Sequence, residues 1–272
     1  MKYKFLALDL DGTLTTTEKE VTEYTKEVLL KYMNAGGQIV LASGRPVYGI
    51  KPVADILGLD KHGGFILAYN GGEIIDCRVN RSLVKYSLKE QIAKEAYQTA
   101  KQYGLSVVTY EGDHLVTEDP ENKYICEEAF INKMAVKKVE DFCSYVSFSV
   151  PKCLIVGDAK KLGVIEPQIA SFFVGKAEVY RSAPYFLEVV PEGIDKAKSL
   201  QKLLDILHTS SKELVAFGDG YNDIPMLRYA GLGVAMGNAQ EEVKKAADYI
   251  CGSNDEDGAA ETVVKIMEDN MK

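Results

Sequence analysis

Short apolar runs, each closed by a polar or glycine-rich turn, alternate along the chain with segments whose apolar residues recur every three or four positions. The first run, Lys4-Phe5-Leu6-Ala7-Leu8, closes on Asp9-Leu10-Asp11-Gly12-Thr13-Leu14. It predicts a buried strand that delivers two carboxylates to its carboxyl end. Val21, Tyr24, Val28 and Tyr32 keep helical spacing up to a Gly36-Gly37 stop. Residues 38–42 predict the next strand, ending in Ser43-Gly44-Arg45-Pro46, where Pro46 opens a helix carrying Val47, Ile50, Ala54 and Leu57 before Gly58. A third strand over 65–69 ends in the turn Asn70-Gly71-Gly72, from which 73–75 returns as a hairpin. Three strands separated by helical segments predict a parallel, helix-covered sheet.

The pattern then changes. Ser87-Leu88-Lys89-Glu90 has the form of a capping box opening a helix through Tyr103, which Gly104 stops. Strands over 105–110 and 114–117 flank Glu111-Gly112-Asp113 as a hairpin. Helices follow over 124–134 and 158–173, the second weakened by Gly163 and Pro167, with strands over 152–156, 177–181 and 186–190. Hairpins mixed with helices imply a separate α+β unit, residues 86–187, inserted into an α/β domain formed by 1–85 and 188–272. Beyond Pro191 the parallel pattern resumes, with a helix over 197–207, strands over 214–217 and 232–236, and a last helix striped by Val263, Val264 and Met267.

Composition narrows the class. With 272 residues, 46% hydrophobic and 26% charged, the chain is an ordinary globular protein of one large or two medium domains. No apolar run approaches membrane-spanning length, and the N-terminus enters a strand directly with no signal-like region, so a cytoplasmic location is expected. The net charge of −8 argues against a nucleic-acid surface, although one lysine with backbone N–H groups can still hold a small anion. Cys77, Cys126, Cys143, Cys153 and Cys251 are scattered and read as reduced, mostly buried thiols. His62, His114 and His208 are isolated and read as structural or exposed.

Asp9 and Asp11 held this close repel, so one is protonated unless a cation lies between them, most simply Mg2+. Asp-x-Asp-Gly also opens calcium loops, but the later acids of such a loop are missing and the flank is strand-like. A plain turn after a strand stays open for this tetrapeptide. Ser43 and Gly44 stand just before a helix N-terminus, where free N–H groups hold an oxyanion. An N-cap serine uses the same geometry.

The predicted strands ending at Asp9, Ser43 and Asp219 leave functional groups at one sheet edge, and Pro191-Glu192-Gly193-Ile194-Asp195-Lys196 adds a lysine. A lysine is unfavourable near a helix N-terminus unless an anion is present; otherwise Lys196 is an exposed helix-start residue. The order Asp9-Leu10-Asp11-Gly12-Thr13, Ser43, Lys196, Gly218-Asp219-Gly220-Tyr221-Asn222-Asp223 resembles the haloacid dehalogenase-like superfamily. The long mixed insert after the third strand and its Asn-Gly-Gly turn resembles the Cof-type branch. The resemblance spans the chain in motif order and departs from the pattern at Ala197, where relatives often carry glycine.

The resemblance implies a Rossmann-like doubly wound parallel sheet core with an inserted α+β cap acting as a specificity lid. It also implies a Mg2+-dependent phosphatase of small phosphorylated metabolites, with sugar phosphates the expected class. By the same resemblance Asp9 is the nucleophile that becomes an aspartyl phosphate, and Asp11 protonates the leaving group and then activates water. Asp9, the Asp11 carbonyl and Asp219 hold the metal, and Asp223 is either a ligand or an outer partner. Ser43, the N–H groups of Leu10 and Gly44, Lys196 and Asn222 hold the transferring oxygens. Arg45 either braces its loop or touches substrate, and Asn238 is read as a strand end. No nucleic acid, membrane or obligate protein partner is expected. The alternatives are a phosphosugar mutase using the same intermediate and a catalytically silent metabolite-binding or regulatory protein.

Overall fold

The structure, a computed structural model, describes Met1 through Asn270. It opens with β1 (Phe5–Leu8), α1 (Glu23–Asn34), β2 (Gln38–Ala42), α2 (Val47–Ile56), α3 (Leu59–His62), β3 (Gly64–Ala68), β4 (Glu73–Asp76) and β5 (Arg81–Lys85). Next come α4 (Glu90–Gln102), β6 (Ser106–Glu111), β7 (His114–Thr117), α5 (Lys123–Asn132), β8 (Ala135–Lys138), α6 (Phe142–Tyr145), β9 (Cys153–Val156), α7 (Ala159–Phe173), β10 (Glu178–Ala183) and β11 (Phe186–Val190). The chain closes with α8 (Lys196–Ile206), β12 (Leu214–Gly218), α9 (Ile224–Tyr229), β13 (Leu232–Ala235), α10 (Glu241–Ala246), β14 (Tyr249–Ile250) and α11 (Gly258–Asn270). Two compact units result: Met1–Val84 together with the chain from Asp195 onward, and Lys85–Ile194.

The first unit is built on a sheet of order β14-β13-β12-β1-β2-β3-β4-β5. Strand β1 is parallel to both β12 and β2, with Leu8 opposite Phe217 and Leu41. The pairs β2/β3, β12/β13 and β13/β14 are also parallel, and β4 returns antiparallel to β3. Every residue of β1, β3 and β12 is buried, as unbroken apolar runs require when both faces of a parallel sheet are covered. This shared register brings the carboxyl ends of β1, β2, β3 and β12 to one edge.

The second unit has a sheet of order β10-β11-β9-β6-β7-β8, antiparallel except for β7/β8. Its apolar core gathers Ala93, Ala96 and Ala100 of α4, Leu162, Ile165 and Ile169 of α7, and Phe142, which stacks on Tyr97 at 4.9 Å.

Several sequence expectations are corrected. The capping box does not form. Leu88 is buried and exchanges backbone hydrogen bonds with Val150, which takes Ser87 away from the helix start, and α4 begins after Lys89 without a side-chain cap. Pro167 sits inside an unbroken α7, capped at its start by Asp158. Strands β5 and β8 carry no apolar signal because their residues are exposed or half-buried, and pairing alone defines them. The second unit extends to Ile194 rather than stopping at 187, since β11 pairs along its length with β9 and β10. Of the five thiols expected to be mostly buried, only Cys153 is.

Candidate active site

At the end of β1, Asp9 is buried and its N–H donates to the Phe217 carbonyl, which fixes the turn against β12. Gly12 follows at φ +79°, and a Cβ there would lie 2.4 Å from Asp219 Oδ2, so only glycine lets the turn come this close to the third acid. Thr13 Oγ1 donates to Asp219 Oδ1 at 3.0 Å. Asn238 donates its amide to the Gly12 carbonyl at 2.8 Å and accepts the Asn254 N–H at 3.0 Å. It therefore splints the turn to the C-terminal segment, which goes beyond ending a strand.

Lys196 opens α8 and is completely buried, with Nζ 2.6 Å from both Asp9 Oδ1 and Asp223 Oδ1. The exposed helix-start reading of this lysine is therefore wrong. Asp223 also accepts the N–H groups of Asp219 and Gly220 on Oδ2, at 3.1 and 2.9 Å. Carboxylate oxygens of Asp9, Asp219 and Asp223 all lie within 4.8 Å of one another. Three carboxylates thus lie around one ammonium, and the pKa values of Asp9 and Asp219 are raised. Burial, with Asp223 and Asp219 nearby, pushes Asp9 up to about 8 against the pull of Lys196. Burial and the Asp223 charge push Asp219 up to about 6. Burial works against the Lys196 ammonium, but Asp223 and Asp9 outweigh it and raise its pKa. Ionised together, the three carboxylates would exceed Lys196 by two negative charges on hard oxygen donors, a donor set that fits a divalent cation such as Mg2+.

The Asp11 side chain lies outside this cluster. Arg45 grips it through Nε and Nη2 at 2.7 and 2.6 Å, and Lys19 approaches Oδ1 at 2.7 Å. Burial works against the charge on Asp11, but the two cations hold its carboxyl below the usual range. Of the two readings of Arg45, the structure shows the brace. Lys19 gave no signal in its polar loop.

The expected phosphate-holding groups gather at the same edge. Leu10 is buried, and its carbonyl accepts from Thr13 and Thr15. Ser43 is buried beyond β2, and its Oγ accepts the Arg45 N–H at 3.1 Å within the loop; α2 starts after Pro46 with no side-chain cap, so the N-cap reading of this serine is not met. Asn222 donates to Asn70 Oδ1 at 3.0 Å, and a Cβ on Gly44 would lie 3.1 Å from the Asn70 amide nitrogen. Asn70 was legible only as a turn residue.

A central strand of an α/β sheet thus ends in a buried aspartate tied to a lysine and close to two further acids, at the edge where such sheets place their ligand sites. The model of the haloacid dehalogenase-like hydrolases matches residues 6–263, and the chain belongs to that family. Among its relatives, "Putative phosphatase YxeH" of Bacillus subtilis is 28% identical over 268 residues, covering 97% of this chain and 98% of that protein. The crystal structure of a haloacid dehalogenase-like hydrolase from Bacteroides thetaiotaomicron superposes with a TM-score of 0.94 at 49% identity, covering 97% of this chain and all of the other. A sugar phosphatase of haloacid dehalogenase subclass IIB superposes with a TM-score of 0.80 at 26% identity, covering 97% of this chain and 98% of that one. The whole-chain match to these proteins places the chain in the Cof-type branch, among enzymes named as phosphatases. No helix among the described residues is long and apolar enough to cross a membrane.

Proposed function

We propose that the protein is a Mg2+-dependent phosphatase that hydrolyses a small phosphorylated metabolite, of the sugar phosphate class, through an aspartyl phosphate on Asp9. The observation that carries this reading is the buried Asp9 carboxylate, tied by one oxygen to Lys196 at the end of the central strand, with Asp219 alongside. Asp9, Asp219 and the Asp11 carbonyl would hold Mg2+, which would neutralise charge on the phosphoryl oxygens. Asp223 spends both oxygens on Lys196 and on the turn N–H groups, which supports a bracing role behind the ligands.

Lys196 orients Asp9 so that its other oxygen attacks phosphorus in line, and the bond to the leaving oxygen breaks. Asp11 protonates the departing alkoxide and then takes a proton from the water that displaces phosphate from Asp9. The grip of Arg45 and Lys19 on Asp11 favours its charged form, which suits the second half-reaction. Donation in the first half requires those contacts to loosen. Ser43, the N–H groups of Leu10 and Gly44, Lys196 and Asn222 cradle the transferring oxygens. The second unit, which contains none of these residues, is assigned the choice of leaving group.

A panel of phosphorylated metabolites read by released phosphate tests the reading. Release from at least one sugar phosphate, stopped by Asp9→Asn, is the expected result. Isomerised sugar phosphate without free phosphate would show a mutase, and no turnover across the panel would reject the function.

A further inference from the structure

We propose that Asn70 is a positioning residue of the phosphate cradle, holding the Asn222 amide and the turn at Ser43 and Gly44 in one geometry; the inference rests on the phosphatase reading above. A hairpin turn between β3 and β4 needs only Asn-Gly in left-handed conformations. Here three consecutive residues are left-handed, Tyr69 at φ 54°, Asn70 at 55° and Gly71 at 99°. Tyrosine does not adopt this region without cost, so the surroundings must impose it.

Those surroundings are the cradle itself. The Tyr69 N–H donates to the Arg45 carbonyl at 3.0 Å and the Asn70 N–H to the Ser43 carbonyl at 2.9 Å, joining this turn to the loop after β2. The Asn70 side chain lies over Gly44 and accepts from Asn222 Nδ2 at 3.0 Å, joining it to the loop after β12. Gly71 completes the junction. Its carbonyl accepts from Ser199 Oγ at 2.8 Å, one turn into the helix that Lys196 opens, and a Cβ on Gly71 would lie 2.3 Å from that hydroxyl. A single turn thus connects the backbone of the Ser43 loop, the Asn222 amide and the start of α8. Asn70 supplies both the backbone and the side-chain link. Because one amide proton of Asn222 is committed to Asn70, the direction of the other is set by Asn70.

Substitution by glycine separates the two links, since glycine keeps the left-handed backbone and removes only the side chain. Inorganic phosphate, the reaction product, is the probe, and its affinity is measured by calorimetry on the full-length protein in Mg2+ buffer. Asn70→Gly is expected to keep the wild-type unfolding temperature and to weaken phosphate binding about threefold to tenfold, the range of one lost hydrogen bond. Asn70→Asp keeps an acceptor for Asn222 but adds negative charge, and is expected to weaken binding further. If the effect passes through Asn222, Asn222→Ala in the Asn70→Gly background adds little. Wild-type affinity in Asn70→Gly, or full additivity with Asn222→Ala, overturns the inference while leaving the phosphatase reading intact. A wild-type protein that binds no phosphate overturns that reading, and this inference with it.

Discussion

In the first unit the carboxylates of Asp9, Asp219 and Asp223 cluster, and two of them share the ammonium of Lys196, whereas in the second unit a buried lysine and a buried glutamate pair one for one. Lys152 and Glu188 pair at 2.9 Å with side chains only 4% and 6% exposed, and Ser182 adds a hydroxyl to Glu188. Glu128 is met by the Tyr110 hydroxyl and the Asn132 amide, both at 2.8 Å. Burying an ion pair roughly breaks even when its geometry is good, while uncompensated buried charge is strongly destabilising. The closed arrangement therefore serves architecture. The open one leaves acid in excess, a standing cost that a further positive charge would relieve.

The largest effect that would break this contrast concerns Asp9, the proposed nucleophile. Asp9→Asn keeps the shape, removes one of the surplus charges and should lower turnover ~10⁴-fold or more while leaving the protein folded. Near wild-type phosphate release, in a preparation free of background phosphatase, would end the covalent mechanism. Chelation comes next. EDTA should reduce hydrolysis at least ~10²-fold, Mg2+ should restore it, and Ca2+, larger and looser in geometry, should restore it poorly. Full activity in metal-free buffer would mean that the surplus charge is balanced in some other way.

The closed pair calls for a stability measurement. Lys152→Met strands Glu188 and should cost about 3–5 kcal/mol in urea unfolding, while Lys152→Met with Glu188→Leu should recover a good part of that loss. If the double substitution is as unstable as the single one, the pair is not the self-contained unit described here.

The smallest effect is a pH slope. Asp9 binds its proton up to about 8 when folded, against an ordinary value of 3.8, and Asp219 does so up to about 6. Between these limits the folded state holds more protons than the unfolded one, so metal-free stability must fall as pH rises from about 4 to about 8. Asp11, with its pKa lowered, contributes in the opposite sense, losing stability only as pH falls below the ordinary carboxylate range. The unfolding temperature of EDTA-treated protein should therefore drop from pH 5 to pH 8, and Asp9→Asn should flatten the slope. A rising temperature over that window would show that the acids are not in excess.

The parts of the molecule that could be read from the chain are those whose physics is local or periodic. The apolar runs of β1, β2, β3 and β12, closed by Asp9, Ser43, the Asn70 turn and Asp219, announce buried parallel strands and the edge at which they end. The unfavourable placement of Lys196 at a helix start announced an anion, and the structure supplies two. Strands β5 and β8 stayed hidden because exposed strands carry no apolar alternation. The partners of Asp11 stayed hidden for a different reason. Arg45 and Lys19 are brought to it by folding, and an isolated cation in a loop does not declare its counter-ion. Asn238 and Asn70 escaped because a turn-forming asparagine has the same local signature whether or not its amide is spoken for at long range.

Pairing β1 with β12 has a consequence in time. Phe5 lies opposite Leu214, and Asp9 meets Lys196 across 187 positions. On a ribosome, which delivers the chain from its N-terminus, Lys85–Ile194 is complete before α8 or β12 has been made. The open flank of β1 has to wait for its neighbour, and such long-range closure is intrinsically slow and exposed to wrong pairings. The early-made Asp9 thus stays without its lysine, Asp219 and Asp223 until the chain has emerged past Asp223. On the function proposed above, a product truncated before Lys196 carries the first aspartates without the rest of the centre, and appearance of activity reports that β1 and β12 have paired.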